Sequence, residues 1–186
     1  MRYELLLDAV RTLQPRSILE IGTWNGHRAL QMLMLSPGAT YYGFDLFEDG
    51  DEKTDAEEKN VKPHHSLKAV SARLEGYKFQ LHKGNTRETL KAFNEPIDFA
   101  WSDGGHSVET IRSDWENVKR LLVPGAAVFF DDYYTGGIDT SAYGCNQIVE
   151  AEMHTVLPQR DPVIPSGWVQ IVQVHTNAVD PYLQTR

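Results

Sequence analysis

The chain has 186 residues, of which 41% are hydrophobic, and a formal net charge of −8. This length is sufficient for one domain with a sizeable core, so residues 1–186 are expected to form a single domain. The acidic balance argues against a broad nucleic-acid-binding surface, because such surfaces carry basic patches that neutralise phosphates. With a single cysteine, no apolar run long enough to span a bilayer and no secretory signal pattern, a cytoplasmic protein without membrane contact is expected.

The first half of the chain alternates helical and strand patterns. Apolar residues spaced three or four apart predict helices, and short apolar runs bounded by turn residues predict strands. The predicted helices are Arg2–Gln14, Gly26–Leu35, Ser66–Leu74 and Arg87–Phe93, and the predicted strands are Ser17–Ile21, Thr40–Asp45, Lys78–His82 and Ile97–Trp101.

The second half continues the alternation. Its predicted helices are Ser107–Leu122 and Cys145–Glu152, and its predicted strands are Ala126–Phe130, a segment between Thr155 and Ile164, and Trp168–Val174. The run Ala126–Phe130 is apolar throughout, as expected for a strand that is covered on both faces. The pattern predicts an α/β fold with a doubly wound, mostly parallel sheet and a C-terminal antiparallel hairpin.

The most informative segment is Ile18–Leu30, ILEIGTWNGHRAL. Its apolar run is interrupted by Glu20, turns through Gly22 and Gly26, and opens a helix. Glycine tolerates positive φ and lets the backbone approach a ligand, so the pattern predicts a loop that holds an adenosine-bearing cofactor at a helix N-terminus. Trp24 stands where the dinucleotide fingerprint has its middle glycine, so a pyrophosphate is not expected to cross this loop. The alternative is a generic strand-to-helix turn.

Acidic residues end several of the other predicted strands. Asp45 ends the second strand, Asp103 follows the fourth, and Asp131 with Asp132 follows the fifth. Ligands of open α/β sheets bind beyond the carboxyl ends of the strands, and neighbouring strands lie about 5 Å apart, so these carboxylates can converge on one ion. Carboxylate oxygens with open coordination positions suit magnesium. The alternative is that Asp131 or Asp132 caps a helix or solvates a loop.

Three segments together resemble a known family: ILEIGTWNGHRAL, IDFAWSDGGHSVETIRSDW and VPGAAVFFDDYY. They are similar to class I S-adenosylmethionine-dependent methyltransferases of the metal-dependent small-molecule O-methyltransferase type, which includes the methyltransferase domain 24, catechol and antibiotic-sugar groups. The resemblance implies a Rossmann-like methyltransferase fold, S-adenosylmethionine as cofactor, and Mg²⁺ or Mn²⁺ held by Asp103, Asp131 and Asp132. It also implies a small-molecule acceptor with two neighbouring oxygens, and no nucleic-acid or membrane partner; a homodimer is left open.

The resemblance further implies which residues contact the cofactor. Asp45 is expected to accept hydrogen bonds from the ribose hydroxyls, and the segment Gly84-Asn85-Thr86 is expected to contact the adenine, with Asn85 in place of the usual acid. The complete set implied for the cofactor is Glu20, Gly22, Thr23, Gly26, Asp45, Asn85, Thr86 and Asp103.

Asp103 and His106 are the candidate catalytic residues. The pKa of histidine lies near neutrality, so His106 is a candidate acceptor of the hydroxyl proton; stacking near the adenine and capping of the following helix are alternatives. The antibiotic-sugar enzymes carry an acid, proposed as general base, where this chain has Gly105. The expected reaction is in-line attack on the sulfonium methyl group, with a metal lowering the pKa of the hydroxyl. Methyl transfer to nitrogen or to a nucleic acid, and a non-catalytic cofactor-binding module, are the alternative functions.

The residues Phe47–Asn60, named the acidic segment below, carry much of the negative charge. Seven acids stand against two lysines between Glu48 and Lys59. A polar run without apolar periodicity predicts a solvated, mobile loop. Because the segment directly follows the strand that ends at Asp45, the alternative is a lid over the active site.

Overall fold

The computed structural model describes residues 2–136, 139–158 and 169–176, and the strands in these ranges form one sheet. They are β1 (Ser17–Ile21), β2 (Thr40–Asp45), β3 (Lys78–Lys83), β4 (Ile97–Ser102), β5 (Leu122–Tyr134), β6 (His154–Val156) and β7 (Val169–Val174). Their order is β3-β2-β1-β4-β5-β7-β6. The first five strands pair in parallel, whereas β7 is antiparallel to both β5 and β6. The predicted mostly parallel sheet with a C-terminal antiparallel pair is confirmed.

Helices connect the strands on both faces of the sheet. They are α1 (Glu4–Leu13), α2 (His27–Leu35), α3 (Glu52–Glu58), α4 (Leu67–Arg73), α5 (Thr86–Thr89), α6 (Val108–Lys119) and α7 (Gly144–Val149), with 3-10 turns at Phe47–Asp49 and Leu90–Ala92. None of the helices in the described ranges is long and apolar enough to cross a membrane.

Several boundaries differ from the predictions. Strand β5 extends beyond Ala126–Phe130 at both ends, because it pairs with β4 from Leu122 onward and with β7 as far as Tyr134. The helix predicted to reach Leu122 therefore ends earlier, at Lys119. The strand-like segment predicted after Thr155 is observed only as β6; its residues 159–164 lie outside the described residues, as does Trp168.

The core lies on both faces of the sheet. One buried cluster packs α1 and α2 against the sheet, and the second packs α6 and α7 against the opposite face. Alternate residues of a strand point to opposite faces. Accordingly, Phe99 and Trp101 belong to the first cluster and Ala100 to the second. Strand interiors covered on both faces are apolar, which restricts polar side chains mostly to the strand ends.

The sequence predicted a loop throughout the acidic segment. This prediction is wrong for residues 52–58, which form helix α3. The side chain of Asp51 caps this helix by accepting a hydrogen bond of 2.8 Å from the amide of Thr54. The side chain of Phe47 is fully buried in the first core cluster. The composition of the segment predicted that its side chains are solvated. In the structure, hydrogen-bond donors of the protein contact acids of the segment, and the ring of Phe47 anchors it in the core. The mobility of the segment stays a prediction.

A buried carboxyl group joins β1 to β2. Glu20 is 1% exposed and accepts a hydrogen bond from the hydroxyl of Tyr41 on the neighbouring strand. Burial raises the pKa of Glu20 to about 8, although the hydrogen bond from Tyr41 opposes this shift. Glu20 is therefore mostly protonated at neutral pH.

Replacing Glu20 with Gln is expected to change how stability depends on pH. The ordinary pKa of Glu20 is 4.5, so between about pH 4.5 and 8 the folded protein binds a proton that the unfolded chain releases. The free energy of unfolding therefore falls as pH rises through this window. Glu20→Gln removes this loss, so its stability relative to the parent protein should rise by on the order of 2–4 kcal/mol from pH 5 to pH 8, measured by urea denaturation.

Glu116→Gln is the matched control, because Glu116 lies on the exposed face of α6. A stability difference for Glu20→Gln that does not vary with pH would contradict the assignment of a raised pKa.

Candidate active site

A cleft opens at the carboxyl ends of β1, β2, β3 and β4. Its empty volume is about 960 Å³ when the open mouth is included. The acidic segment and the residues that follow it, as far as His65, form one wall. The predicted site residues that line the cleft are Gly22, Asp45, Asn85, Thr86, Asp103 and His106.

The loop after β1 depends on its two glycines. Gly22 has a φ of 83° and Gly26 a φ of 75°. A Cβ atom at Gly22 would overlap the backbone carbonyl of Asp103, and one at Gly26 would lie 2.9 Å from Cγ1 of Val70. Both positions therefore require glycine, for conformation and for close packing. Only Gly22 contributes to the surface of the cleft.

Three of the predicted cofactor residues, Glu20, Thr23 and Gly26, do not line the cleft. Glu20 and Thr23 are buried, and the hydroxyl of Tyr41 contacts both side chains, lying 3.2 Å from Oγ1 of Thr23. Gly26 lies at the N-terminus of α2. In the structure these residues support the loop. Their direct contact with a cofactor stays a prediction.

Asp45 joins two walls of the cleft. Its Oδ2 accepts a hydrogen bond of 2.8 Å from the amide of Trp24, and its Oδ1 accepts one of 2.7 Å from the amide of Phe47. Each carboxylate oxygen has two lone pairs, so both can accept a further hydrogen bond from a ribose hydroxyl. Asn85 is already engaged on one side, because its side-chain oxygen caps α5 by accepting a hydrogen bond of 2.9 Å from the amide of Arg87.

The rim of the cleft contains residues that the sequence analysis did not predict. The indole Nε1 of Trp24 donates a 3.0 Å hydrogen bond to the carbonyl of Pro63, and the ring of His65 packs edge-on against the indole. Lys62 Nζ lies 3.8 Å from Oδ1 of Asp103. His64 is bound to Asp55, with 2.8 Å between Nε2 and Oδ1. The sequence shows no periodic pattern at these residues, because only the folding of the chain brings them to the cleft.

Glu58 in helix α3 fastens the acidic segment to α6. Its carboxylate accepts hydrogen bonds from the amide of Ser107, at 2.9 Å, and from the hydroxyl of Thr110, at 2.6 Å. A Cβ atom at Gly105 would lie 2.5 Å from Oε2 of Glu58. The carboxylate of Glu58 therefore occupies the space that a side chain at position 105 would need, which gives a physical reason for the glycine.

Asp103, Asp131 and Asp132, named the acidic cluster below, are brought together near the ends of β4 and β5, where all three line a second cavity with room for about one water molecule. Burial, reinforced by the charge of Asp131, raises the pKa of Asp103 well above its usual range. Burial also raises the pKa of Asp131 to about 6; the charge of Asp132 adds to this shift and that of Arg2 opposes it. All three carboxylates therefore lie around one small cavity.

The predicted Mg²⁺ or Mn²⁺ site does not fit this arrangement of the acidic cluster. The guanidinium of Arg2 forms ion pairs with Asp131 and, at 3.2 Å, with Asp132. Oδ1 of Asp131 also accepts a hydrogen bond of 2.8 Å from the amide of Asp132. Within the described ranges, no three His, Cys, Asp or Glu side chains are arranged to hold a metal ion. Arg2 and Asp131 are 129 positions apart, so no local pattern could predict this pairing.

His106 lies between the cleft and the second cavity and lines both. Its Nδ1 is 3.2 Å from Oδ2 of Asp132. Burial lowers the pKa of His106 below 6.5, against the opposing charge of Asp132. This contact lacks the geometry of a hydrogen bond, and the negative charge of Asp132 favours the ring proton on Nδ1, which would leave a lone pair on Nε2. The alternative helix-capping role is wrong, because Ser107 caps α6.

Comparison with known proteins adds to this description. Residues 19–133 match the family model of a methyltransferase domain. No curated protein shows significant sequence similarity to the chain.

Solved structures share the fold. Cofactor-bound Rv0187 from MTB superposes with a TM-score of 0.69 at 16% identity, covering 94% of this chain and 79% of that one. The O-methyltransferase from Bacillus cereus in complex with SAH gives a TM-score of 0.66 at 19% identity, covering 92% and 79% of the two chains. The O-methyltransferase TomG from Streptomyces achromogenes, involved in tomaymycin synthesis and solved with SAM, gives 0.65 at 19% identity, covering 92% and 78%.

Removing the carboxylate of Asp45 is expected to weaken cofactor binding. Asp45→Ala should lower the affinity for S-adenosylhomocysteine by on the order of 1–3 kcal/mol, because charge-assisted hydrogen bonds to the ribose are lost. Isothermal titration calorimetry measures the change. Asp49→Ala is the matched control, since Asp49 pairs with Lys83 on the exposed surface. An unchanged affinity in Asp45→Ala would remove Asp45 from the binding site.

Glu58→Ala is expected to loosen the acidic segment. The substitution leaves the amide of Ser107 and the hydroxyl of Thr110 without their carboxylate acceptor, so amide hydrogen exchange across residues 51–60 should become at least several-fold faster. Glu57→Ala is the control, because the neighbouring Glu57 makes only a 3.8 Å contact with Lys53 on the surface. Equal exchange rates in the two variants would show that Glu58 does not fasten the segment.

Proposed function

This chain belongs to the methyltransferase domain family, and from that premise we propose that it transfers a methyl group from S-adenosylmethionine to a hydroxyl oxygen of a small molecule. In this proposal the cofactor occupies the cleft above Gly22 and beside Asp45. The acceptor is proposed to lie on the side of the cleft formed by Asp103 and His106, which adjoins the second cavity.

The observation that carries the proposal is the contact between His106 and Asp132. The carboxylate of Asp132, 3.2 Å from Nδ1, favours a proton on that nitrogen and leaves Nε2 as the atom that would accept a second proton. The lowered pKa of His106 keeps this atom unprotonated at neutral pH. Because His106 lines the cleft, a hydroxyl bound on that side of the cleft can lie within reach of Nε2 while facing the cofactor.

The chemical step follows from these roles. His106 takes the hydroxyl proton as the acceptor oxygen attacks the methyl carbon, and the bond between that carbon and the sulfonium sulfur breaks. The products are the methyl ether and S-adenosylhomocysteine, with the proton held on His106. Asp132 stabilises the imidazolium that forms. Such a displacement depends mainly on positioning and on a deprotonated nucleophile. Asp103, which lies beside both cavities, is proposed to orient the two reactants.

Two aromatic side chains near His106 favour a small acceptor with an apolar or aromatic part. Tyr134 and Tyr143 pack with their ring centroids 4.1 Å apart, and Lys59 Nζ lies 4.1 Å from the centroid of Tyr143. Structural neighbours that are described as O-methyltransferases favour oxygen over nitrogen as the nucleophile. The acidic net charge argues against a nucleic acid. The two neighbouring oxygens of the acceptor and the cytoplasmic location expected from the sequence stay predictions, and a homodimer stays open.

No step of this mechanism is routed through a divalent metal. Mg²⁺ or Mn²⁺ bound to the acidic cluster would polarise acceptor oxygens as a Lewis acid. The ion pairs of Arg2 with Asp131 and Asp132 do not leave these carboxylates arranged for that task.

His106→Gln is expected to lower turnover by roughly 10²- to 10⁴-fold, because general-base catalysis is lost. The affinity for S-adenosylhomocysteine should stay within about twofold, since the glutamine preserves a polar side chain at the edge of the cleft. Turnover is measured as S-adenosylhomocysteine released with a panel of phenols, catechols and aliphatic diols, and NMR of the product identifies the methylated atom.

His27→Gln is the control, because His27 is exposed at the start of α2. Full turnover in His106→Gln would exclude His106 as the base. Methylation at nitrogen would contradict O-methyl transfer, and a protein that binds the cofactor but methylates no member of the panel would favour the non-catalytic module.

A further inference from the structure

Arg2, immediately before helix α1, is a cation supplied by the chain to the acidic cluster. Its guanidinium pairs with Asp131, whose side chain is 1% exposed, and with Asp132. We infer that Arg2 takes the place of a divalent cation in this cluster, and that it positions Asp132 and thereby His106 for metal-independent methyl transfer. The catalytic part of this inference rests on the proposed function, whereas the exclusion of a divalent ion does not.

The acidic cluster needs positive charge. Three carboxylates that share a small buried space repel one another and lose solvation, so a nearby cation is strongly favoured. The described chain supplies two: Arg2 for Asp131 and Asp132, and Lys62, whose Nζ lies 3.8 Å from Asp103. Arg2 and Lys62 therefore supply the positive charge that a divalent ion would otherwise supply.

Arg2 is held at the cluster by its neighbours. The ring of Tyr3 lies 5.5 Å below the guanidinium of Arg2, packs edge-on against Trp101 and is covered from another direction by Arg28, at 3.5 Å. The hydroxyl of Tyr3 also opposes the rise in the pKa of Asp131 and so favours the charged carboxylate. These contacts fix the residues before α1 against the ends of β4 and β5, so the position of Arg2 is built into the fold.

The local backbone explains why Asp132 depends on such a partner. The register between β5 and β7 shifts between Phe130 and Tyr133, and Asp132 has a φ of 56°. This left-handed conformation is unfavourable for a residue other than glycine and persists only where surrounding contacts determine it. Asp132 has one contact at each carboxylate oxygen: Arg2 at Oδ1 and His106 at Oδ2, both at 3.2 Å.

A guanidinium and a divalent ion would do different work in the acidic cluster. Mg²⁺ binds oxygens at about 2.0–2.1 Å in octahedral geometry and acts as a Lewis acid. A guanidinium stays protonated and presents a planar set of N–H donors that orient carboxylates. With Arg2 in place, Asp132 serves as the partner of His106, and deprotonation of the acceptor is assigned to His106.

Binding of Mn²⁺ to the cofactor-free protein tests the exclusion of a divalent ion. Mn²⁺ is titrated into the parent protein and into Arg2→Gln, and the free ion is followed by electron paramagnetic resonance. The parent should show only millimolar binding, whereas Arg2→Gln should bind at least tenfold more tightly, and Arg2→Gln combined with Asp131→Asn should lose that gain. Arg11→Gln, in helix α1 and paired with Asp8, should behave as the parent does.

Equal Mn²⁺ affinity in the parent protein and in Arg2→Gln would overturn the inference. Thermal unfolding checks that the variants are folded. If Arg2→Gln is unstable, Arg2→Lys is used as well; it keeps the charge and should bind Mn²⁺ as weakly as the parent protein does. These results do not require an acceptor, so they stand or fall independently of the proposed function.

Turnover tests the positioning role. The activity of the parent protein should be unchanged in excess chelator, and Arg2→Gln should lower kcat more than it raises the KM for the acceptor, with partial rescue by Arg2→Lys. Loss of the parent's activity on chelation, or an effect of Arg2→Gln on KM alone, would overturn it.

Discussion

The close approach of the β1 and β4 ends is the constraint on which the site depends. The amide of Asp103 donates a 2.8 Å hydrogen bond to the carbonyl of Ile21, and the absence of a side chain at Gly22 lets the two backbones meet. This approach brings the cofactor-binding loop against the strand end that starts the acidic cluster. The regions proposed for the cofactor and the acceptor therefore adjoin along one edge of the sheet, as a direct methyl transfer requires.

The acids of the site have two different tasks. Asp45 and Glu58 accept hydrogen bonds from backbone amides and so hold loops in place around the cleft. Asp131 and Asp132 instead form ion pairs with the guanidinium of Arg2, and Asp132 also contacts His106. An acidic composition thus supports both architecture and chemistry here, and the net charge of the chain alone does not distinguish the two.

The resemblance noted in the sequence and the structure agree on the fold and diverge at the metal. The glycine loop, the acid that ends β2 and the acids that end β5 lie where a methyltransferase of this type needs them. The guanidinium of Arg2 against Asp131 and Asp132 is the departure, and it changes the expected origin of the nucleophile from metal chelation to a histidine base. A family pattern therefore predicts positions more securely than it predicts the role of each side chain.

The sequence by itself determined the secondary structure, the sheet type and the positions of the strand-end residues. Apolar periodicity reports which face of an element is buried, and Gly22 and Gly26 mark a turn that few other residues could adopt. It also predicted that Asp103, Asp131 and Asp132 would converge, because parallel strands end at the same edge of a sheet.

Only the tertiary structure decided which partners those residues have. Arg2 meets Asp131 across 129 positions, and Glu58 meets Ser107 across 49. The side chains of Glu20 and Thr23, which the motif assigned to the cofactor, lie buried beneath the loop instead. Periodicity describes each element alone, whereas ion pairs and hydrogen bonds between distant segments depend on how the elements pack, and that packing is a property of the whole chain.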